Sequence, residues 1–271
     1  MEVTRNALKV IAVLLTSLAV VIGLPVWLSQ SSQAANATGY YGSWSASGSP
    51  GSGAFSTQSV GFPGATVSST GGLGSASGGT SWLPAWTGIG MEYGSSQNSP
   101  YLTVSVPSVG ATTTVTFSNA TPASGWSFAL GDVDAESVVV SARDASGGAV
   151  PVQGWFNSTF NYCQNSPRAS GCGGAQTDKP IWNGTSKLTG SGTDTAGASA
   201  WFTPTRSIKS LTFTSSKITG FPEYQLWIAS DKSVPTKRSP VTIEATEPYG
   251  TPPEMKVDIG GTTNKASAVV Y

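Results

Sequence analysis

Apolar and polar residues alternate with a period of two through much of the middle of the chain. Leu102, Val104 and Val106 are separated by Thr103 and Ser105. Because successive side chains of a strand point to opposite faces, this pattern predicts strands with one buried and one solvated face, as in antiparallel sheets. The same alternation recurs at Val115–Phe117, Trp126–Leu130, Val138–Ala142, Val150–Val152, Leu211–Phe213 and Tyr224–Ile228.

Turn-forming residues separate these segments, at Pro107–Gly110, Pro122–Gly125 and Asp144–Gly148. Many short strands with regular turn signals are typical of β-sandwiches. The sequence therefore predicts an all-β fold, an antiparallel β-sandwich of jelly-roll type, with an N-terminal export helix. No amphipathic helix is predicted after residue 37.

The export helix is predicted from an apolar run, Val10–Leu28, that follows two basic residues. The run has nearly the ~20 residues that a membrane-spanning helix needs. However, Gly23 and Pro25 interrupt it, and the stretch that ends at Ile22 fits the roughly 7–15 apolar residues of a signal peptide. Ala35-Asn36-Ala37 then provides a small-x-small cleavage pattern. A cleaved signal peptide and a retained anchor both place the rest of the chain outside the cell or at its surface, in contact with the membrane only through this segment.

Composition changes again near residue 231. Residues 38–230 contain 15 charged side chains, whereas the much shorter stretch 231–271 contains 10 and five prolines. We therefore predict a signal peptide or membrane anchor at 1–37, a β-sandwich domain at 38–230 and a linker at 231–240. The strand-rich segment 241–271 is interpreted either as the completion of the first sheet or as the start of a second β module.

The charge balance excludes one class of partner. The net charge is zero and only 10% of residues are charged, so the chain lacks the positive field that collects nucleic-acid phosphates. It also contains no histidine, which removes the commonest catalytic base and metal ligand.

Two cysteines, Cys163 and Cys172, are present. An exported chain meets an oxidising compartment, so we predict a disulfide between them. Their spacing is not C-x-x-C, which argues against a redox function.

Three carboxylates alternate within Gly131–Glu136, directly after a predicted strand. Asp132, Asp134 and Glu136 are therefore candidate calcium ligands, since calcium prefers carboxylate and carbonyl oxygens. The alternative is that Asp132 and Asp134 hydrogen-bond a turn, as Asp often does. The spacing is not that of an EF-hand.

A longer stretch around these residues resembles a known kind of protein. The sequence Trp126-Ser-Phe-Ala-Leu-Gly-Asp-Val-Asp, followed by Val138-Val-Val-Ser-Ala-Arg-Asp-Ala-Ser-Gly, resembles segments of exported cell-surface β-sandwich modules of bacteria, chiefly actinobacteria. The resemblance covers about 25 residues and implies an exported jelly-roll-like module, often placed before Ig-like or prealbumin-like repeats. It implies no active site.

Aromatic residues form a second candidate site. Aromatic rings beside Asn and Gln suit sugar binding, because they combine a flat apolar face with hydrogen-bonding amides. The alternative is core packing, since large rings dominate sandwich cores. The candidate glycan-binding residues are Trp82, Trp86, Trp155, Tyr162 and Trp182.

The sequence thus predicts a non-catalytic domain of the cell envelope with an adhesion or carbohydrate-binding function, whose partner is a glycan or cell-wall polysaccharide. A structural stalk component is the first alternative. A histidine-independent glycoside hydrolase is the second, because such enzymes work with two carboxylates. Its candidates are Glu92, Glu136 and Glu223 with Asp132 or Asp134, and an isopeptide-forming module would use Lys256 or Lys265 near Glu244.

Overall fold

The computed structural model describes residues 39–107 and 110–234, together with two further strands at 255–259 and 262–266. The predictions for the export segment at 1–37 and for most of the linker and the C-terminal segment lie outside the described residues. The strands are β1 (Gly39–Tyr41), β2 (Ser43–Gly48), β3 (Gly51–Ser56), β4 (Ala65–Ser69), β5 (Gly72–Ala76), β6 (Tyr101–Ser105), β7 (Ala111–Phe117), β8 (Trp126–Gly131), β9 (Glu136–Arg143), β10 (Ala149–Val150), β11 (Phe156–Asn161), β12 (Ile181–Trp182), β13 (Lys187–Thr189), β14 (Ala198–Phe202), β15 (Ser210–Lys217), β16 (Glu223–Asp231), β17 (Met255–Ile259) and β18 (Thr262–Ala266).

These strands form two large antiparallel sheets and one small one. The first large sheet has the order β11-β14-β8-β16-β6-β5, and β1 lies beside the second half of β16. The second has the order β12-β13-β9-β15-β7-β4-β3-β2, with β10 beside β9. The hairpin β17–β18 forms the small sheet.

The two large sheets are joined by one apolar core. Trp126 and Phe128 of the first sheet contact Phe117 and Phe213 of the second, with ring centroids 5.8 and 5.9 Å apart. All four side chains are completely buried. The predicted all-β antiparallel sandwich is therefore confirmed, and the alternating apolar positions form its core.

The outer face of the first sheet is also buried, which the alternation did not predict. In β16, Leu226 and Ile228 belong to the core between the sheets, whereas Trp227 and Ala229 belong to a second apolar cluster. The segments around Trp82–Tyr101 and Tyr162–Cys172 supply most of the rest of that cluster, and Ala129 and Phe160 complete it. A layer of loops therefore covers this sheet, and its central strands have no solvated face.

This loop layer contains a 3₁₀ helix at Ser170–Cys172 and a short α-helix, α1 (Gly88–Tyr93), where no helix was predicted. The Thr87 hydroxyl caps it by accepting a hydrogen bond from the Gly90 N–H at 3.1 Å. The helix ends at Gly94, whose φ of 86° suits glycine. Six residues are too few to produce a recognisable helical period in the sequence.

The predicted disulfide is present in the same layer. Cys163 and Cys172 are bonded, with their Cα atoms 5.4 Å apart, and both are buried. A disulfide indicates an oxidising, non-cytoplasmic environment.

Among the described residues, no helix combines the length and the apolar character that crossing a bilayer requires.

Candidate functional site

A polar groove of about 460 Å³ lies at the end of the sandwich where the described chain begins. Three stretches form it: β1 with the start of β2, the segment that follows β3, and the segment that follows α1. Its volume falls within the roughly 300–1,000 Å³ of small-molecule sites. Tyr40, Tyr41, Gln58 and Asn98 are among the residues that line it.

Strand β1 holds the first wall in place. It pairs with the end of β16, with Tyr40 opposite Ser230 and Tyr41 opposite Ala229. The Tyr41 hydroxyl donates a hydrogen bond to the Gly94 carbonyl at 3.1 Å, which ties β1 to the end of α1. Gly39 is required here, because a Cβ at this position would lie 2.6 Å from the Tyr93 ring and clash with the Ser230 carbonyl.

The segment that carries Gln58 is fixed to the end of β16, the strand with which β1 pairs. The Ser59 hydroxyl donates to the Ser230 carbonyl at 3.2 Å and accepts from the Ser230 hydroxyl at 2.8 Å. The Val60 N–H donates to the Lys232 carbonyl at 2.9 Å. Both serines are buried, so these bonds anchor the wall from inside the protein.

Asn98 lies on a turn that is also held from inside. The buried Ser96 hydroxyl accepts a hydrogen bond from the Leu83 N–H at 2.8 Å, and the Ser99 N–H donates to the Ser96 carbonyl at 2.9 Å. Asn98 has a φ of 96°, a left-handed value that is uncommon outside glycine but more tolerated by Asn. Strained residues of this kind occur often at binding sites.

The groove presents hydrogen-bonding groups that the protein itself does not use. Within the part of the chain that the structure describes, the exposed side chains of Tyr40, Gln58 and Asn98 hydrogen-bond to no other protein group. Each amide offers both a donor and an acceptor, and the tyrosine adds a ring and a hydroxyl. The groove can therefore bind a neutral polar ligand through both kinds of contact.

The predicted calcium ligands lie at the other end of β16. Asp132 follows β8, with a φ of 59°, and its Oδ1 accepts a hydrogen bond from the Gly197 N–H at 3.0 Å. Burial raises its pKa to about 7, despite that hydrogen bond. Asp134 Oδ2 accepts from the Thr195 N–H at 3.1 Å and from its hydroxyl at 3.0 Å, and burial raises the pKa of this carboxyl too. The two aspartates thus fasten the loop that contains Thr195 and Gly197.

Glu136 is the first residue of β9 and is completely buried. Neither carboxyl oxygen has a hydrogen-bond partner within the described residues. Burial, with added repulsion from Asp134 and Asp132, raises the pKa of Glu136 to about 9. The side chain is therefore protonated at neutral pH. In the described part of the chain, no group of three or more acidic or cysteine side chains is arranged to hold a metal ion, and calcium binding by Asp132, Asp134 and Glu136 stays a prediction.

The predicted glycan-binding aromatics are largely internal. Trp82, Trp155 and Tyr162 are only 3%, 1% and 2% exposed, and the Tyr162 hydroxyl donates to Gln225 Oε1 at 3.1 Å. Trp86 and Trp182 are half-buried. Trp182 stacks on Phe156 with ring centroids 5.3 Å apart, at the edges of the two sheets. Of the predicted residues, Trp155 packs in the core between the sheets, and Trp82 and Tyr162 pack in the outer apolar cluster.

The carboxylates considered for hydrolysis fall into two places. Asp132, Asp134, Glu136 and Glu223 lie towards the start of β16, where repulsion from Asp134 and Glu223 adds to the rise in the pKa of Asp132, whereas Glu92 lies apart from them. Glu223 begins this strand, where its Oε2 accepts a hydrogen bond from the Ser105 hydroxyl at 3.4 Å. Glu92 lies in α1, near Asp231 at the other end of the strand. Burial is the main cause that raises the pKa of both glutamates. A nine-residue strand spans about 27 Å, so the structure does not bring Glu92 together with Glu223.

The lining of the groove was missed at the sequence level. Tyr40, Gln58 and Asn98 come from three segments that only the folded chain brings together. The usable signals were the adjacent tyrosines 40 and 41 and the polar run from Gly94 to Pro100.

The resemblance to actinobacterial surface modules stays a prediction. Comparison of the chain with models of known protein families finds no match, and comparison with curated proteins finds none.

Proposed function

We propose that this protein is a non-catalytic, exported module of the cell envelope that binds carbohydrate through the groove lined by Tyr40, Gln58 and Asn98. The observation that carries the proposal is a preformed groove with unused amide and hydroxyl groups beside tyrosine rings. Sugars present many hydroxyl groups around apolar ring faces. They therefore match a surface that offers donors, acceptors and aromatic rings together.

Two further observations support a binding rather than a catalytic role. Among the described residues, no carboxylate lines the groove. The most strongly perturbed carboxyls, Asp132 and Glu136, lie towards the opposite end of β16. A carboxylate-based hydrolase that used the groove would need two such groups on either side of the bond to be cleaved, and the described lining provides neither.

The disulfide supports export. Cleavage after Ala37 or retention of the N-terminal segment as an anchor remains part of the proposal, and so does a jelly-roll connectivity. The connectivity is supported by sheet neighbours that are distant in sequence, such as β8 beside β14 and β16.

A structural stalk component is the competing function. The burial of Trp82 and Trp155 favours it, because those rings stabilise the fold and offer no surface to a ligand. The stalk hypothesis assigns no role to the unused polar groups of the groove.

Glycan binding by the purified full chain tests the proposal. The chain is applied to an immobilised panel of oligosaccharides and cell-wall polysaccharides, beside the double variant Gln58→Ala/Asn98→Gly. Glycine adopts positive φ freely, so the second change keeps the turn. We expect saturable binding that weakens at least tenfold in the double variant. Gln97→Ala, a change of an exposed amide outside the groove lining, is the matched control and should bind like the unaltered chain. Absence of binding, or binding that the double variant retains, would refute the proposal.

A further inference from the structure

We infer that the groove selects an uncharged saccharide and discriminates against acidic glycans. This inference rests on the carbohydrate-binding function proposed above and adds the chemical class of the ligand. It follows from the kinds of groups that line the groove and from the charges at its rim.

The lining itself is neutral. Among the described residues that line the groove, the polar side chains are hydroxyls and amides, and none is charged. A carboxylate or sulfate that enters such a site loses water and gains no cationic partner from the lining, which is unfavourable. A neutral hydroxyl group exchanges its water for the Gln58 and Asn98 amides at little cost.

The amides also fit adjacent sugar hydroxyls. Gln58 and Asn98 stand on two separately anchored segments, and each presents a carbonyl oxygen and an NH₂ group. A pair of neighbouring hydroxyl groups can donate to the oxygen and accept from the nitrogen of one planar amide. The tyrosine rings then provide apolar surface for the ring face of the sugar.

The charges next to the lining add to the selection. Glu92 is exposed on α1, beside the groove residue Tyr93, and Asp231 lies opposite Gly39 in the β1–β16 pairing. Lys232 places its Nζ 5.9 Å from the centre of the Tyr40 ring, a cation–π contact. Among the described residues beside the lining, these two carboxylates outnumber the one ammonium, and they repel acidic ligands.

The test compares matched neutral and acidic ligands on the full chain. One pair is an oligogalacturonate and its fully methyl-esterified form, which share a backbone and differ in charge. The wider panel contains neutral glucan, mannan, xylan and chitin oligomers and their sulfated or carboxylated counterparts. We expect each bound neutral ligand to bind at least tenfold more tightly than its acidic counterpart. Raising salt from 50 to 500 mM should change the neutral affinity less than twofold, because no ion pair is involved.

A charge substitution makes the test sharper. Gln58→Lys places an ammonium in the groove and should strengthen binding of the acidic counterpart at least fivefold. Gln97→Lys makes the same change of net charge outside the lining and should strengthen that binding less than twofold.

Equal or tighter binding of acidic ligands by the unaltered chain would overturn this inference and leave the proposed function standing. The same holds if Gln97→Lys and Gln58→Lys act alike. Failure of every glycan to bind would overturn the proposed function and this inference together.

Discussion

At the scale of single residues, Glu136 is the most unusual side chain of the sandwich. It is buried without a hydrogen-bond partner among the described residues, and its pKa is about 9. In the unfolded chain this carboxyl loses its proton above its ordinary pKa of 4.5. In the folded protein it keeps the proton up to about pH 9. The free energy of unfolding is therefore unaffected by this group below pH 4.5 and falls as pH rises towards 9. At pH 7 it is lower by roughly 3 kcal/mol.

Glu136→Gln should remove this dependence, because an amide does not ionise. We expect the variant to be more stable than the original chain at pH 8 and about equally stable at pH 4. Urea unfolding at several pH values measures the difference. Asp144→Asn is the contrasting control, because Asp144 lies in a surface turn where hydrogen bonds from Ser146 and the turn backbone lower its pKa. Parallel pH profiles for Glu136→Gln and the original chain would contradict the prediction.

Glu136 also shows what the sequence could have revealed. It has the same parity as Val138 and Val140, which face the core, so the alternation already placed its side chain inside the sandwich. Trp82 and Trp155 lie in a loop and in a 3₁₀ turn, where no alternation distinguishes a buried ring from an exposed one. Their burial could only be found from the fold.

At the scale of elements, the disulfide loop stabilises the layer that covers the first sheet. Cys163 and Cys172 belong to the outer cluster with Trp227 and Tyr162. Closing a loop with a sequence separation of 9 stabilises a fold by about 2.7 kcal/mol in the chain-entropy model.

Cys163→Ala/Cys172→Ala should therefore lower the free energy of unfolding by about 2–3 kcal/mol. Chemical denaturation with and without a reducing agent measures it. Reduction should destabilise the original chain by a similar amount and leave the double variant unchanged. A reducing agent that leaves the original chain unaffected would contradict a stabilising role for the bridge.

The alternation of apolar and polar residues predicts a strand best where one face of that strand is buried and the other meets water. Alternation placed β6 within one residue of its observed bounds and marked part of β7 and of β15, whose buried and exposed positions alternate. In β8 every residue is buried, since loops cover its outer face. Coverage of that kind depends on segments far away in the chain, and no local pattern reports it. The groove could not be predicted from the sequence for the same reason, because its walls come from three segments that are far apart in the chain.

At the scale of the whole molecule, carboxyls that folding removes partly or wholly from water set the pH dependence of stability. Among the described residues, loss of solvation is the leading cause that raises the pKa of six acidic side chains, whereas the pKa of Asp144 is lowered. The six are Glu92, Asp132, Asp134, Glu136, Glu223 and Asp231.

A carboxyl with a raised pKa lowers the free energy of unfolding as pH rises above the ordinary carboxyl range. This loss continues to about pH 7 for Asp132 and to about pH 9 for Glu136. We therefore expect the melting temperature at pH 5 to exceed that at pH 8 by about 5 °C or more. Scanning calorimetry across this range checks it. A melting temperature that rises between pH 5 and pH 8 would show that other groups dominate.

The pairing of β1 with β16 has a mechanical consequence. Gly39 lies opposite Asp231, so the described sandwich begins and ends on neighbouring strands at the same end. Tension applied between these two points would peel β1 away one hydrogen bond at a time, and three residue pairs resist far less in this direction than a long sheared ladder. Tyr40 and Tyr41 would leave with the strand. A load carried through the chain would therefore dismantle the groove before it disturbed the core, and a bound ligand would oppose that first step.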